Sequence, residues 1–132
     1  MHITIKTNIS RDVLESVIVT ALEGGSNSWY YLSDEALAIT KKAIPDYMNT
    51  PLSINIAKAV LDHGVTIPIH DCESMEEQIG ELSLSTMGAR LQALSNDSGY
   101  AYALNDEIAG AGDATSSDVV FQYMVLGEVV YG

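Results

Sequence analysis

A chain of 132 residues, 47% of them hydrophobic, is long enough to bury a core as one domain, and its composition excludes wholesale disorder. The net charge of −12 disfavours direct contact with nucleic acid and with anionic membranes, and it favours basic partners. Cys72 is the only cysteine, which excludes an internal disulfide and a multi-cysteine metal site.

The acidic side chains are concentrated in the second half of the chain. Residues 59–132 hold twelve acids and one base, Arg90, whereas residues 1–58 hold six acids and five bases. The acidic charge of residues 59–132 can attract basic partners, or it can serve only to keep the protein soluble. The charge alone does not decide between these two interpretations. No apolar run approaches the roughly 20 residues of a membrane span, and residues 1–6 lack the pattern of a signal peptide, so we expect a cytoplasmic protein.

Residues 2–7 alternate between polar and apolar side chains, which predicts a half-buried strand. Asn8 or Ser10 then caps a first helix, whose apolar face includes Val17. Gly24–Gly25 is expected to end that helix in a left-handed turn.

Two further helices are predicted before the middle of the chain. Ser33 caps the second, over residues 34–44, which ends before a proline. Thr50 and Pro51 fit the N-cap and the first position of the third, which reaches about residue 62. The apolar stripe of the third helix is Ile54, Ala57 and Leu61.

A period-two pattern returns over residues 65–70 and predicts a strand, placed at a sheet edge because Pro68 lacks an N–H group. Residues 79–83 form a short extended run, and the two segments can pair as a hairpin with an acidic loop. Helices are then predicted over residues 85–94 and 100–108.

The last helix is predicted to be buried. Between Val119 and Tyr131, ten of thirteen residues are apolar or aromatic, and Thr115 or Ser116 is the expected cap. A helix that is apolar nearly all round needs burial on several sides, in the core or in the subunit contact of a homo-oligomer. The residues expected at that interface are Phe121, Gln122, Met124, Val125 and Tyr131.

Together these elements predict a single α+β domain over residues 1–132. It combines a small antiparallel sheet of two or three strands with five or six helices, the C-terminal helix being buried. Within that helix Asp118 and Gln122 lie four residues apart on one face. A buried Gln122 amide requires hydrogen-bond partners.

Two stretches resemble a known group of sequences. Residues 20–32, Thr-Ala-Leu-Glu-Gly-Gly-Ser-Asn-Ser-Trp-Tyr-Tyr-Leu, resemble an N-terminal signature of small uncharacterised proteins from tailed bacteriophages and prophages. Residues 113–132, with Asp-Val-Val-Phe-Gln and Gly-Glu-Val-Val-Tyr-Gly, resemble the ending of the same family. The chain departs from the pattern at Ser28, usually Tyr, and at Val120–Phe121, usually Phe-Leu. The resemblance implies action inside an infected bacterium and no particular biochemical activity.

The candidate ligand-binding residues are Glu23, Asn27, Trp29 and Tyr30. Gly24–Gly25 would let a ligand approach the backbone, and an aromatic ring would stack on a planar, nucleotide-like group. Phosphates would require a cluster of the bases Arg11, Lys41, Lys42 and Arg90. In the alternative interpretation the glycines only end a helix and Trp29 fills the core.

No metal and no cofactor is predicted. His63 and His70 lie seven residues apart, without the spacing of a zinc site. The acidic segment Asp71, Glu73, Glu76, Glu77 and Glu81 could bind calcium or magnesium through its oxygens, although it lacks the ligand ladder of a known calcium loop. That segment is then a solvated loop, or it imitates the phosphates of DNA toward a basic protein groove.

The sequence contains no nucleophile elbow, phosphate loop or dinucleotide motif, so an enzyme is not predicted. The leading hypothesis is a phage accessory protein that counters host defence by sequestering a small nucleotide-like ligand in a pocket formed by an oligomer. One alternative is an acidic inhibitor that covers a basic surface of a host enzyme. The other is a structural or assembly component of the phage.

Overall fold

The computed structural model describes residue 3, residues 8–26 and residues 28–132. Its α-helices are α1 (Arg11–Thr20), α2 (Asp34–Ala43), α3 (Leu52–His63), α4 (Leu84–Ser95), α5 (Ala101–Ile108) and α6 (Ala114–Leu126). Its strands are β1 (Tyr30–Tyr31), β2 (Ile67–Asp71) and β3 (Gln78–Leu82). The predicted α+β class is confirmed. The strand predicted over residues 2–7 lies, apart from residue 3, outside the described residues.

The sheet is antiparallel with the order β1–β2–β3, and β2 and β3 form the predicted hairpin. The edge position predicted from Pro68 is wrong, because β2 is the central strand. The N–H of Cys72 donates to the carbonyl of Trp29 (3.1 Å), so with a period of two the N position of Pro68 faces the same side. β1 pairs only with His70 and Asp71 and does not reach Pro68, whose missing N–H therefore costs no ladder bond.

Short polar side chains begin the first two helices as predicted. The hydroxyl of Ser10 accepts a hydrogen bond from the N–H of Val13, and that of Ser33 accepts one from the N–H of Ala36, both at 3.2 Å. Each satisfies a backbone donor that has no partner within its helix. A π-helical turn, Ala21–Gly25, continues α1.

The left-handed turn predicted at Gly24–Gly25 is wrong. Among the described glycines, φ is positive at Gly64, Gly110 and Gly127, whereas Gly24 has the extended φ of 172°. Gly25 is required for a different reason. A Cβ there would lie 2.8 Å from the carbonyl oxygen of Ala114, where α6 begins.

The start of α3 also differs from the prediction. Pro51 occupies the cap position and Thr50 precedes it. The side-chain amide of Asn55 donates to the carbonyls of Thr50 (3.1 Å) and Tyr47 (2.8 Å), which fastens the preceding loop, including a 3-10 turn over Tyr47–Asn49, onto the helix. Of the predicted stripe only Ala57 is buried. The buried residues of α3 are Ser53, Asn55, Ile56, Ala57, Ala59 and Val60.

Asp113 caps α6, in place of the predicted Thr115 or Ser116. The Asp113 carboxylate accepts from the N–H of Ser116 (2.9 Å), and the Ser116 hydroxyl accepts from the N–H of Asp113 (2.8 Å). This reciprocal pair is a capping box, which satisfies two backbone donors at once.

The predicted burial of the C-terminal helix is confirmed. α6 packs against α1, α4, α5 and β3, and nine of its thirteen residues are buried. Gly127 ends it in a left-handed conformation (φ 80°). The guanidinium of Arg90 donates to the carbonyls of Met124 (2.9 Å) and Val125 (2.6 Å), which have no intrahelical partner there. In the described part of the chain, no helix is both long and apolar enough to cross a membrane.

The close approach of β3 to α6 gives a first test. A Cβ at Gly80 would lie 2.8 Å from Cγ1 of Val125 and closer still to its backbone oxygen. We expect Gly80→Ala to lower the free energy of unfolding by about 1–3 kcal/mol, the usual cost of overpacking. Gly88→Ala in α4, where an added Cβ meets no described atom within 4 Å, should raise it by about 0.5–1 kcal/mol.

Urea unfolding with an unchanged m value measures both variants. Equal midpoints for Gly80→Ala and Gly88→Ala would contradict the close packing of β3 on α6.

Candidate functional site

The described residues of the segment 20–32 pack directly against the segment 113–132. Trp29 is only 1% exposed, and the ring of Tyr131 stacks on its indole with a centroid separation of 5.3 Å and an interplanar angle of 5°. The ring of Phe121 lies 5.7 Å from the indole at an angle of 42°, and that of Tyr30 meets it edge-on at 6.0 Å. These residues form one aromatic cluster, in which each pair contributes beyond its buried area.

Asp118 joins this cluster to the turn that follows α1. One carboxylate oxygen accepts from the hydroxyl of Ser26 (2.6 Å) and from the indole N–H of Trp29 (2.8 Å). The other oxygen accepts from the side-chain amide of Gln122 (2.9 Å). Hydrogen bonds to a charged acceptor are roughly twice as strong as neutral ones. Asp118 therefore fixes the positions of all three donors.

Gln122 holds the segment after α6, residues 128–132, which we call the tail. Its side chain is 0% exposed. The amide oxygen accepts from the N–H groups of Val130 and Tyr131, and the amide nitrogen donates to the carbonyl of Tyr131, each at 2.9 Å. The predicted requirement for partners of a buried Gln122 is confirmed, and every polar group of the side chain is used.

The three described candidate ligand-binding residues, Glu23, Trp29 and Tyr30, do not line a common pocket. Trp29 has no free ring face, so a planar ligand would have to displace Tyr131. Glu23 is exposed, and its carboxylate accepts from the hydroxyl of Ser53 (2.8 Å) on α3. Tyr30 donates its hydroxyl to the carbonyl of Leu22 (2.7 Å), and burial raises its pKa. Asn27 lies outside the described residues.

Tyr30 does line an open groove of about 390 Å³. The other residues of this groove are Tyr31, Leu32, Leu37 and Leu52. None of these described lining residues has a charged side chain that would recognise a phosphate. The groove therefore does not reproduce the nucleotide site that the sequence suggested.

The residues predicted at a subunit interface are mostly core residues of the single chain. Phe121, Gln122, Met124 and Val125 are each 0% exposed. Contact with a second subunit through these four would require the core to open, because their side chains already pack within the chain. Tyr131 is half-buried against Trp29. With the chain closed in this way, the packing does not offer Phe121, Gln122, Met124 and Val125 as the contact of a homo-oligomer.

The bases expected to converge on phosphates are held at separate places. Arg11 on α1 makes a bidentate contact with Asp62 at the end of α3 (2.5 and 2.6 Å), and Arg90 binds the end of α6. The ammonium of Lys41 lies 5.4 Å from the ring centre of Tyr47. Neither arginine is free to bind a ligand without losing its intramolecular contact.

The loop between β2 and β3, residues 72–77, is the most strongly acidic exposed segment, and we call it the acidic hairpin loop. Glu73, Glu76 and Glu77 are all exposed. Asp71 orders the loop, because one of its carboxylate oxygens accepts from the N–H groups of Glu73 (2.7 Å) and Ser74 (3.2 Å). This arrangement presents three carboxylates on an ordered turn.

The acidic hairpin loop lies beside the aromatic cluster. The thiol of Cys72 donates to the carbonyl of Ser28 (3.1 Å), next to Trp29. Burial raises the pKa of Tyr131, and the negative charges of Asp71 and other groups near the loop raise it further. The loop is therefore attached, through Cys72, to the segment that carries Trp29.

No base neutralises this loop in the part of the chain that the structure describes. Each ion pair found there involves Arg11, with Asp12, Glu15 or Asp62 as its partner. Among the same residues, no group of three or more His, Cys, Asp and Glu side chains is arranged to hold a metal ion.

Comparison with known proteins adds no assignment. No protein-family model matches the chain, and no curated protein or solved structure gives a significant match. The resemblance to phage proteins therefore rests on the two stretches alone and stays a prediction.

Sequence reasoning did not predict the role of Ser26 or the bond between Asp118 and Trp29. The available signal was chemical: an indole N–H in a core requires an acceptor, and Asp118 carries the one carboxylate within α6. Spacing along the chain does not indicate that these residues meet, because they lie on separate elements.

Asp118→Asn tests the polar network. The new amide group faces either the Gln122 amide or the pair of donors from Ser26 and Trp29, so at least one donor loses its acceptor. We expect the free energy of unfolding to fall by about 1–3 kcal/mol. Asp106→Asn on α5 is the matched control, since its carboxylate makes no hydrogen bond to any described residue. Urea unfolding followed by Trp29 fluorescence measures both, and equal losses would contradict a special role of Asp118.

Removal of residues 128–132 tests the tail. The deletion leaves the Gln122 amide without three of its four hydrogen bonds and uncovers one face of Trp29. We expect the free energy of unfolding to fall by about 2–4 kcal/mol. The unpaired amide contributes roughly 1–3 kcal/mol of this loss, and the lost aromatic pair contributes roughly 0.5–1.5 kcal/mol. Removal of Gly132 alone should change the urea midpoint little. A full deletion with wild-type stability would contradict the role given to the tail.

Proposed function

We propose that the protein is a non-enzymatic accessory protein that binds a basic surface of another protein through the acidic hairpin loop. The observation that supports this most directly is the exposure of Glu73, Glu76 and Glu77 in a segment with no neutralising base among the described residues. Such a group of carboxylates steers a basic partner toward the loop and gains free energy when that partner neutralises it.

Order within the loop adds to this support. Asp71 binds two backbone N–H groups of the loop. Cys72 donates its thiol to the carbonyl of Ser28 and its N–H to the carbonyl of Trp29, so the start of the loop is fastened to that segment. An ordered loop loses less conformational entropy when it binds than a disordered one would. The loop backbone therefore does not need to rearrange before its carboxylates contact a partner.

The resemblance supplies the setting of the proposal, the interior of a phage-infected bacterium. The partner that fits best is a host enzyme with a basic surface that normally binds nucleic acid, because such a surface is complementary to a group of carboxylates. Sequestration of a nucleotide-like ligand has weaker support, since Tyr131 covers Trp29 and both arginines are engaged within the chain.

The test neutralises the loop. A variant carrying Glu73→Gln, Glu76→Gln and Glu77→Gln is compared with the wild type in binding to host proteins captured from bacterial extract and then purified. Three exposed pairs at about 0.5 kcal/mol each predict roughly tenfold weaker binding. Wild-type affinity should fall as salt rises, and duplex DNA should compete with the protein for its partner.

The matched control removes three charges elsewhere, by Asp34→Asn, Glu35→Gln and Asp46→Asn. These side chains are also exposed, and the control has the same net charge as the loop variant. The control should keep wild-type affinity within about twofold, as expected for charges outside an interface. Equal weakening of both variants, or a partner that binds independently of salt, would contradict the proposal.

A further inference from the structure

The tail is held in the manner of a bound peptide. Its three hydrogen bonds to Gln122 use only backbone groups, two N–H groups and one carbonyl of Val130 and Tyr131. Its one large side chain, Tyr131, stacks on Trp29. Backbone bonds that any sequence can make, combined with one side chain in a specific position, are the features by which proteins recognise extended peptides.

The site under the tail is built by the rest of the chain. Gln122 and Trp29 both donate to Asp118, and Ser26 donates to it as well. These bonds do not involve the tail, so the amide and the indole keep their orientation when the tail leaves. The opened site would present one fully oriented amide and one free aromatic face.

The tail is also separable from the body of the protein. Gly127 breaks α6 with a positive φ of 80°, and the tail follows as non-helical chain. Glu128 and Val130 are exposed, so the side-chain contacts that hold the tail on the core are those of Val129 and Tyr131. Release of the tail therefore requires movement about Gly127, and α6 itself can stay in place.

We propose that the surface formed by Gln122, Asp118 and Trp29 is a binding site for an extended peptide, which the chain's own tail fills, and that the tail of a second copy can fill it in trans. The second copy is the partner that fits best, because its tail carries the same backbone spacing and the same aromatic side chain. This proposal is independent of the acidic hairpin loop and its charges.

The covalent link sets the conditions for exchange. Because the tail is attached to α6 at Gly127, its effective concentration at its own site is on the order of millimolar. Separate copies therefore stay closed when dilute and exchange tails when the local concentration approaches that value. A copy without a tail is an acceptor at lower concentration, because it has no competing segment.

The experiment uses two acceptors, in which the tail is removed or lacks its aromatic side chain. The first is the chain ending at Gly127, and the second is full-length Tyr131→Ala, which keeps the tail backbone if the shortened chain does not fold. The probe is the acetylated peptide Gly-Glu-Val-Val-Tyr-Gly, residues 127–132. Trp29 is the only tryptophan, so its emission reports stacking, and the side-chain amide resonances of Gln122 report the hydrogen bonds.

Saturable one-to-one binding that shifts both signals is the expected result. The same peptide with Ala in place of Tyr should bind about tenfold more weakly, because it cannot stack on Trp29. A folded acceptor that leaves both signals unchanged at millimolar peptide overturns the site. Native mass measurement of shortened and full-length chains mixed near millimolar concentration should show a mixed dimer. Its absence, while the free peptide binds, overturns the second copy as the occupant.

Discussion

The hydrogen bonds that Asp118 and Gln122 make to other segments determine the rotation of the central helix, α6, about its axis. α6 is buried on nearly all sides, so hydrophobic burial alone gives little preference for one rotation about its axis. The carboxylate of Asp118 must meet Ser26 and Trp29, and the amide of Gln122 must meet the tail. A buried polar group without a partner would cost about 1–3 kcal/mol, so other rotations are disfavoured. This polar network therefore gives specificity to a core whose stability comes from apolar contacts.

Two of the few bases, Arg11 and Arg90, are engaged within the fold. Arg90 binds the carbonyls at the end of α6, where the tail turns away and leaves them without helical partners. Arg11 joins the start of α1 to the end of α3 through Asp62, whose pKa it lowers by hydrogen bonding. Both arginines act within the fold. The acidic excess of the chain is consequently left on the surface, where it is available to a partner.

Much of the fold follows from local signals in the sequence. Helix periodicity and the caps Ser10 and Ser33 located the first two helices, and the change to period two located the β2–β3 hairpin. β1 was not predicted, because a strand of two residues carries no periodic pattern. The cap of α6 was misplaced by two or three residues, since several short polar side chains in a row compete for that position.

The site was harder to predict for a physical reason. An apolar segment gives the same sequence signal whether it is buried within one chain or between two, so Phe121 and Met124 could be assigned to a subunit contact. Trp29 after a pair of glycines is equally compatible with stacking on a ligand and with packing in a core. Only the three-dimensional partners distinguish these cases: Tyr131 covers one face of the indole, and Asp118 binds its N–H.

These contacts also decide where binding to a partner is best sought. The two stretches that resemble phage proteins are used to build the aromatic cluster and the network around Asp118, so their residues are explained by folding. The acidic hairpin loop lies outside both stretches and is fastened to their base through Cys72. A protein of this design keeps a rigid core and can vary the charged loop without disturbing it. The contacts of the two stretches thus specify the fold, and the proposed partner contact lies outside them.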